Sequence, residues 1–125
     1  MIDLDLPSTS VSPAIRTDAA RGLVELSGDS YPENSFDLYQ PLIAWVREYL
    51  AVAGRSLRLE LALVYLNTSS VRSVMDVFDL LEASHAAGGD VCVRWTYEAE
   101  NERVGELAED FKQDVSFPFE IVARA

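Results

Sequence analysis

Leu66-Asn67-Thr68-Ser69-Ser70 sets an amide and three consecutive hydroxyls directly before a run with helical apolar spacing. Two chemistries suit such a segment. In one, a side-chain oxygen accepts a free N–H of the first helical turn and serves only as an N-cap. In the other, a hydroxyl accepts a phosphoryl group, because a phosphate at a helix N-terminus meets unpaired N–H groups and the positive end of the helix dipole. That modification adds about −1.5 to −2 charges. It would change any contact the segment makes with a partner.

Two more polar segments carry reactive or recognition groups. The stretch from Gly28 to Ser35 holds Asp29, Ser30, Tyr31, Glu33 and Asn34, and reads either as a turn with a helix cap or as a contact loop. The stretch from Glu98 to Arg103 holds Glu98, Asn101, Glu102 and Arg103, and opens an acidic run that continues through Glu106, Glu109, Asp110 and Asp114. Such a run is a solvated helix face or a surface that steers a basic partner. Asp29, Glu33 and Glu98 would make a Mg²⁺ site, and hence a small carboxylate enzyme, only if their oxygens converge on one point. His85 has no partner at useful spacing, and Cys92 sits in a strand pattern as a small core residue. With one His and one Cys, most nucleophile-and-base pairs are unavailable. Glycine-rich phosphate loops, nucleophile elbows and paired metal ligands are missing, so a non-enzymatic role without cofactor or metal is expected.

The elements that position these segments alternate. Ala14 to Thr17 and Leu23 to Ser27 predict a hairpin turning at Gly22, after a loose lead-in over the first ten residues. A helix follows the Asn34 or Ser35 cap, with Phe36, Tyr39, Leu42, Ile43, Val46, Tyr49 and Leu50 inward and Gly54 as its C′ residue. Pro41 breaks that pattern, so the helix either begins near Tyr39 or is kinked. Ser56 to Tyr65 reads as a central strand covered on both faces. A second helix starts after Ser70, turns Val71, Val74, Met75, Phe78 and Leu81 inward, and ends at Gly88-Gly89. Val91 to Tyr97 is a strand, Asn101 caps a third helix running to about Gln113, and Phe117 to Ala123 is a last strand. The order β-β-α-β-α-β-α-β predicts an α/β single domain over residues 1–125, with a mostly parallel sheet and an antiparallel N-terminal hairpin. Parallel strands send all three polar segments to one edge of the sheet.

Composition restricts the partners. The 125 residues are 49% apolar, enough for one core, and ten Lys+Arg against twenty-one Asp+Glu give a net charge of −11. Nucleic acid and anionic membranes are therefore poor partners. An acidic N-terminus, the lack of a long apolar run and a single cysteine lead us to expect a cytoplasmic protein.

Gly28-Asp29-Ser30-Tyr31-Pro32-Glu33-Asn34, Tyr65-Leu66-Asn67-Thr68-Ser69-Ser70, Asn101-Glu102-Arg103-Val104 and Ser116-Phe117-Pro118-Phe119 together resemble the SiaC family of bacterial regulatory phosphoproteins. The resemblance implies a STAS-like fold, as in anti-sigma-factor antagonists, and a partner-switching role. A protein kinase would phosphorylate Thr68, a PP2C-type phosphatase would reverse it, and the unphosphorylated form would activate a diguanylate cyclase, controlling cyclic-di-GMP synthesis and biofilm formation or aggregation. Asp29, Ser30, Tyr31, Glu33, Asn34, Asn67, Ser69, Ser70, Glu98, Asn101, Glu102 and Arg103 would then contact partners. STAS antagonists usually carry Asp-Ser-Ser/Thr-Gly before the second helix and a further helix after the last strand; this chain reads Asn67-Thr68-Ser69-Ser70-Val71, without that glycine, and ends at Ala125. An antagonist acting on a sigma-factor regulator is the alternative reading.

Overall fold

Apolar alternation in the strands and a 3.6-residue apolar stripe in the helices produce two layers. A computed structural model describes residues 1–125. The elements are β1 (Asp5–Leu6), β2 (Ala14–Asp18), β3 (Leu23–Ser30), α1 (Ser35–Leu50), β4 (Ser56–Leu66), α2 (Thr68–Ala86), β5 (Asp90–Glu98), α3 (Glu102–Gln113) and β6 (Phe119–Arg124). The six strands lie side by side in chain order; β1, β2 and β3 are antiparallel, and β3 to β6 are parallel.

Because every crossover steps the same way along the sheet, the right-handed rule places all three helices on one face. Burial follows that geometry. Ile15, Leu26, Leu61 and Trp95 form a registered row under the helices, and Val24, Leu59, Val93 and Phe119 form another. The opposite face is open. A strand covered on both sides was expected at Ser56 to Tyr65, but Arg58 and Val64 are exposed while Leu57, Leu59, Leu61 and Leu63 are buried. Cys92 likewise lies half-exposed on the open face rather than in the core. Burial is still sufficient to push its thiol above the ordinary value, which makes it a poor nucleophile at neutral pH.

Other expectations change at element ends. The lead-in is ordered: Asp3 Oδ1 accepts from Trp45 Nε1 at 3.1 Å and from the Thr17 hydroxyl at 3.1 Å, drawing β1 alongside β2. Gly28 to Ser30 continue β3 through a register shift, so only residues 31–34 form a loop. Helix α1 starts at Ser35, capped by Asn34, and contains Pro41. Pro41 has no N–H to offer the Asp37 carbonyl, and both residues are exposed, so the missing bond falls on the solvent side of the helix. Phe36 points outward and Trp45 inward, so the buried stripe begins at Ser35 and runs through Tyr39, Leu42, Ile43, Trp45, Val46 and Tyr49. Gly54 follows the helix end without capping it; Ala51 is the cap. Gly88 is the C′ residue that closes α2 after the Ala87 cap: its N–H bonds the His85 carbonyl and that of Gly89 bonds the Ser84 carbonyl, the double bond of a Schellman turn. Met75, expected inward, is exposed. At Gly22, φ is +62° and a Cβ would strike the Ser56 carbonyl, and would lie 2.7 Å from the Tyr49 hydroxyl, so only glycine closes this turn without strain.

Candidate functional site

The three polar segments meet at the C-terminal edge of the parallel strands, and Asn67 ties two of them together. Its N–H bonds the Ser30 carbonyl at 2.9 Å, its Nδ2 donates to the Pro32 carbonyl at 3.3 Å, and its Oδ1 accepts the Ser70 N–H at 2.9 Å. That last bond makes Asn67 the N-cap of α2, which therefore begins at Thr68 and not after Ser70. The third segment is attached by Asn101, which caps α3 through Val104 N–H and donates Nδ2 to the Val64 carbonyl at 3.1 Å.

Beneath this edge runs a buried line of hydroxyls. Ser30 donates to Ser70 at 2.7 Å and shares a hydrogen bond with the Tyr39 hydroxyl at 2.9 Å. Ser35 bonds Ser70 at 3.1 Å and Ser69 at 2.8 Å. Ser30 and Ser70 are fully buried, so of the expected contact residues these two hold the edge together from within and present nothing to a partner. Burial raises the Tyr39 hydroxyl above its ordinary pKa, with the Ser30 bond opposing that shift, so it stays protonated at neutral pH. Ser35 and Tyr39 were missed as members of this site because a capping serine and a helical tyrosine read as ordinary core positions.

Thr68 differs from Ser70: it is exposed, and it faces a groove. The groove has a volume of about 420 Å³ and lies between the end of β4, the start of α2 and the start of α3, walled by Val64, Tyr65, Val71, Val104 and Leu107. It exists because β4 pairs with β5 only as far as Leu61, leaving the last residues of β4 without a neighbour on that side. Val64 and Tyr65 are consequently exposed, at 52% and 44%, where sequence placed them in a covered strand. Tyr65 meets Tyr31 edge-on, with ring centroids 5.7 Å apart, which joins the loop at residues 31–34 to the groove's rim. Arg103 is the one charged side chain in the lining.

The remaining candidates stand apart. Glu98 is engaged by Arg124 at 2.9 Å, Asn34 bonds Asp37, and Glu33 and Glu102 are exposed. Asp29, Glu33 and Glu98 do not converge with one another, since no group of three potential metal-ligating side chains comes together anywhere in the chain. The metal-site alternative has no geometry to stand on.

The edge therefore combines an exposed threonine at a helix start, a largely apolar groove and aromatic flanks, and the chain as a whole matches known proteins. The family model for SiaC family regulatory phosphoproteins covers residues 6–124. This chain belongs to the SiaC family. An uncharacterised protein of Pseudomonas aeruginosa is 51% identical over 123 residues, 98% of each chain. The crystal structure of apo-SiaC from Pseudomonas aeruginosa superposes with a TM-score of 0.95 at 50% identity, over 98% of this chain and 100% of that one. A chain of the crystal structure of the diguanylate cyclase SiaD in complex with its activator SiaC, from the same species, matches with a TM-score of 0.94 at 51% identity, over 98% and 100% of the two chains. The α/β order, the antiparallel hairpin and the parallel remainder expected from sequence are those of the SiaC fold.

Proposed function

We propose that this protein is a non-enzymatic, phosphorylation-controlled activator of a diguanylate cyclase, switched at Thr68. The observation that carries the reading is the contrast between three adjacent hydroxyls: Ser70 is buried, Ser69 is turned into hydrogen bonds with Ser35 and Asn67, and Thr68 stands exposed in the groove without a hydrogen bond of its own. A kinase active site reaches the Thr68 hydroxyl without unfolding the edge. The family membership supports a phosphoprotein, and the relative crystallised with its cyclase supports the target. A PP2C-type phosphatase reverses the modification, and the setting is cytoplasmic; no helix is long and apolar enough to cross a membrane.

The backbone favours the modified state locally. The N–H groups of Thr68 and Ser69 have no acceptor within the protein, and they lie at the positive end of α2. The same phosphate places about two negative charges in a groove whose walls are mostly hydrophobic and whose only charged side chain is Arg103. An apolar partner surface that seats in the unmodified groove is then refused, because burying that charge is costly. Peptide mapping after incubation with the kinase and ATP is expected to place phosphate on Thr68, and Thr68→Asp is expected to bind the cyclase at least ten-fold more weakly than Thr68→Ala. Phosphate found on Ser69 or Ser70 instead, or equal affinity of the two variants, would overturn the assignment.

A further inference from the structure

We infer that Arg103 is the internal counter-ion of phosphorylated Thr68, so that phosphorylation bridges α2 to α3 across the groove; this rests on the proposed modification of Thr68. The inference starts from charge. In a chain of net charge −11, the only charged side chain lining the Thr68 groove is a cation. It is also unengaged: Arg16, Arg58, Arg72, Arg94 and Arg124 each face a carboxylate, whereas Arg103 forms no ion pair and no hydrogen bond through its side chain. A guanidinium presents a planar fork of donors that matches phosphate oxygens. The neighbouring walls are apolar, which leaves the pair less screened than it would be on an open surface.

The surrounding charges make this assignment specific. On α2, Arg72 lies one turn beyond Thr68, but it is outside the groove lining and faces Asp76 at 4.0 Å. On α3, Glu102 and Glu106 flank Arg103 in sequence and are exposed, outside the groove lining. From β4 the only titratable lining group is the Tyr65 phenol. A phosphate on Thr68 therefore finds one cation that shares its groove and gives up no existing partner to meet it. The consequence goes beyond added charge. Thr68 sits at the first residue of α2 and Arg103 in the first turn of α3, so their pairing ties the two helix starts over the mouth of the groove.

The test uses the full chain with phosphothreonine installed at position 68 by semisynthesis, which makes it independent of any kinase. The second ionisation of the phosphate is followed by phosphorus NMR across pH in the unsubstituted chain, Arg103→Gln, Arg103→Lys and Arg72→Gln. A cation held close favours the dianion and lowers its pKa. Arg103→Gln is expected to raise that pKa by about 0.5 to 1 unit, Arg103→Lys to recover part of the shift, and Arg72→Gln to move it by less than half as much. An unchanged titration in Arg103→Gln, or a shift carried wholly by Arg72→Gln, would overturn the inference. Because Arg103 is exposed, the variants keep the fold, which circular dichroism verifies. Failure of a kinase to modify Thr68 would sink the proposed function while leaving this titration interpretable.

Discussion

Ser69 and Ser70 follow Thr68 directly in the chain, yet their burial and bonding separate three chemically similar groups into three roles. Ser70 is the junction of the buried hydroxyl line, bonded to Ser30 and Ser35, and Ser30 in turn satisfies the Tyr39 hydroxyl. Removing one member of such a line leaves others buried without partners, and each orphaned group costs about 1–3 kcal/mol. Ser30→Ala is therefore expected to lower unfolding stability by about 1–3 kcal/mol in urea melts, while Ser69→Ala, at an exposed position, stays within about 0.5 kcal/mol of the parent. Equal effects of the two substitutions would remove the buried line as the support of the edge. Sequence could show that a helix starts at this segment, and it could not show at which residue or which hydroxyl faces in. That depends on the position of α1, whose Ser35 and Tyr39 supply the facing partners, and a contact between residues 35 and 70 leaves no periodic trace in either segment.

Among the elements, the strands and helices with strong periodicity were legible and their ends were not. Leu57, Leu59, Leu61 and Leu63 announce β4, and Val104, Ala108 and Phe111 announce α3. The groove, in contrast, follows from β4 and β5 parting after the Leu61–Trp95 pair, a property of two strands together, so Val64 and Tyr65 looked like core. The one-sided sheet is also a property of the set. A row Asp5, Arg16, Glu25, Glu60, Arg94 and Glu120 crosses all six strands on the open face, with Arg94 pairing Glu60 at 3.6 Å and Glu120 at 2.7 Å. A one-residue slip of any strand would carry its charge under the helices, so the row fixes register. The junction of α2 with the α3–β6 connection is made by Glu82, whose carboxylate accepts both the N–H of Ser116, at 2.8 Å, and its hydroxyl. Those side-chain and backbone bonds hold the Glu82 carboxyl below its ordinary value. A depressed folded-state pKa contributes stability that is present above the unfolded-state value and is lost as pH falls through the folded one. Glu82→Gln is thus expected to melt at a lower temperature than the parent at pH 7, with the gap narrowing below about pH 4.5. A gap that stays constant with pH would show that the ionised carboxylate is not the clamp.

At the scale of the whole molecule, the net charge of −11 is unevenly placed. The open sheet face neutralises much of its own charge through the pairs of Asp5 with Arg16, Arg58 with Glu60, and Arg94 with Glu60 and Glu120. The outer side of α3 does not: Glu102, Glu106, Glu109 and Asp110 are exposed and form no ion pair, and this helix begins at the Thr68 groove. Unpaired like charges on one face act at a distance, and they act on the rate of encounter more than on the lifetime of a complex. A basic surface on the proposed cyclase partner would be drawn toward the α3 side and would arrive with the groove already oriented to it. Glu106→Lys combined with Glu109→Lys, both outside the groove lining, is then expected to slow association with the proposed cyclase partner by about ten-fold at low salt and by much less at high salt. Its dissociation rate should be nearly unchanged. Stopped-flow binding at two ionic strengths separates these terms. An association rate that stays the same or rises in the variant would mean that the acidity of α3 only keeps the helix in water, and that the groove alone selects the partner.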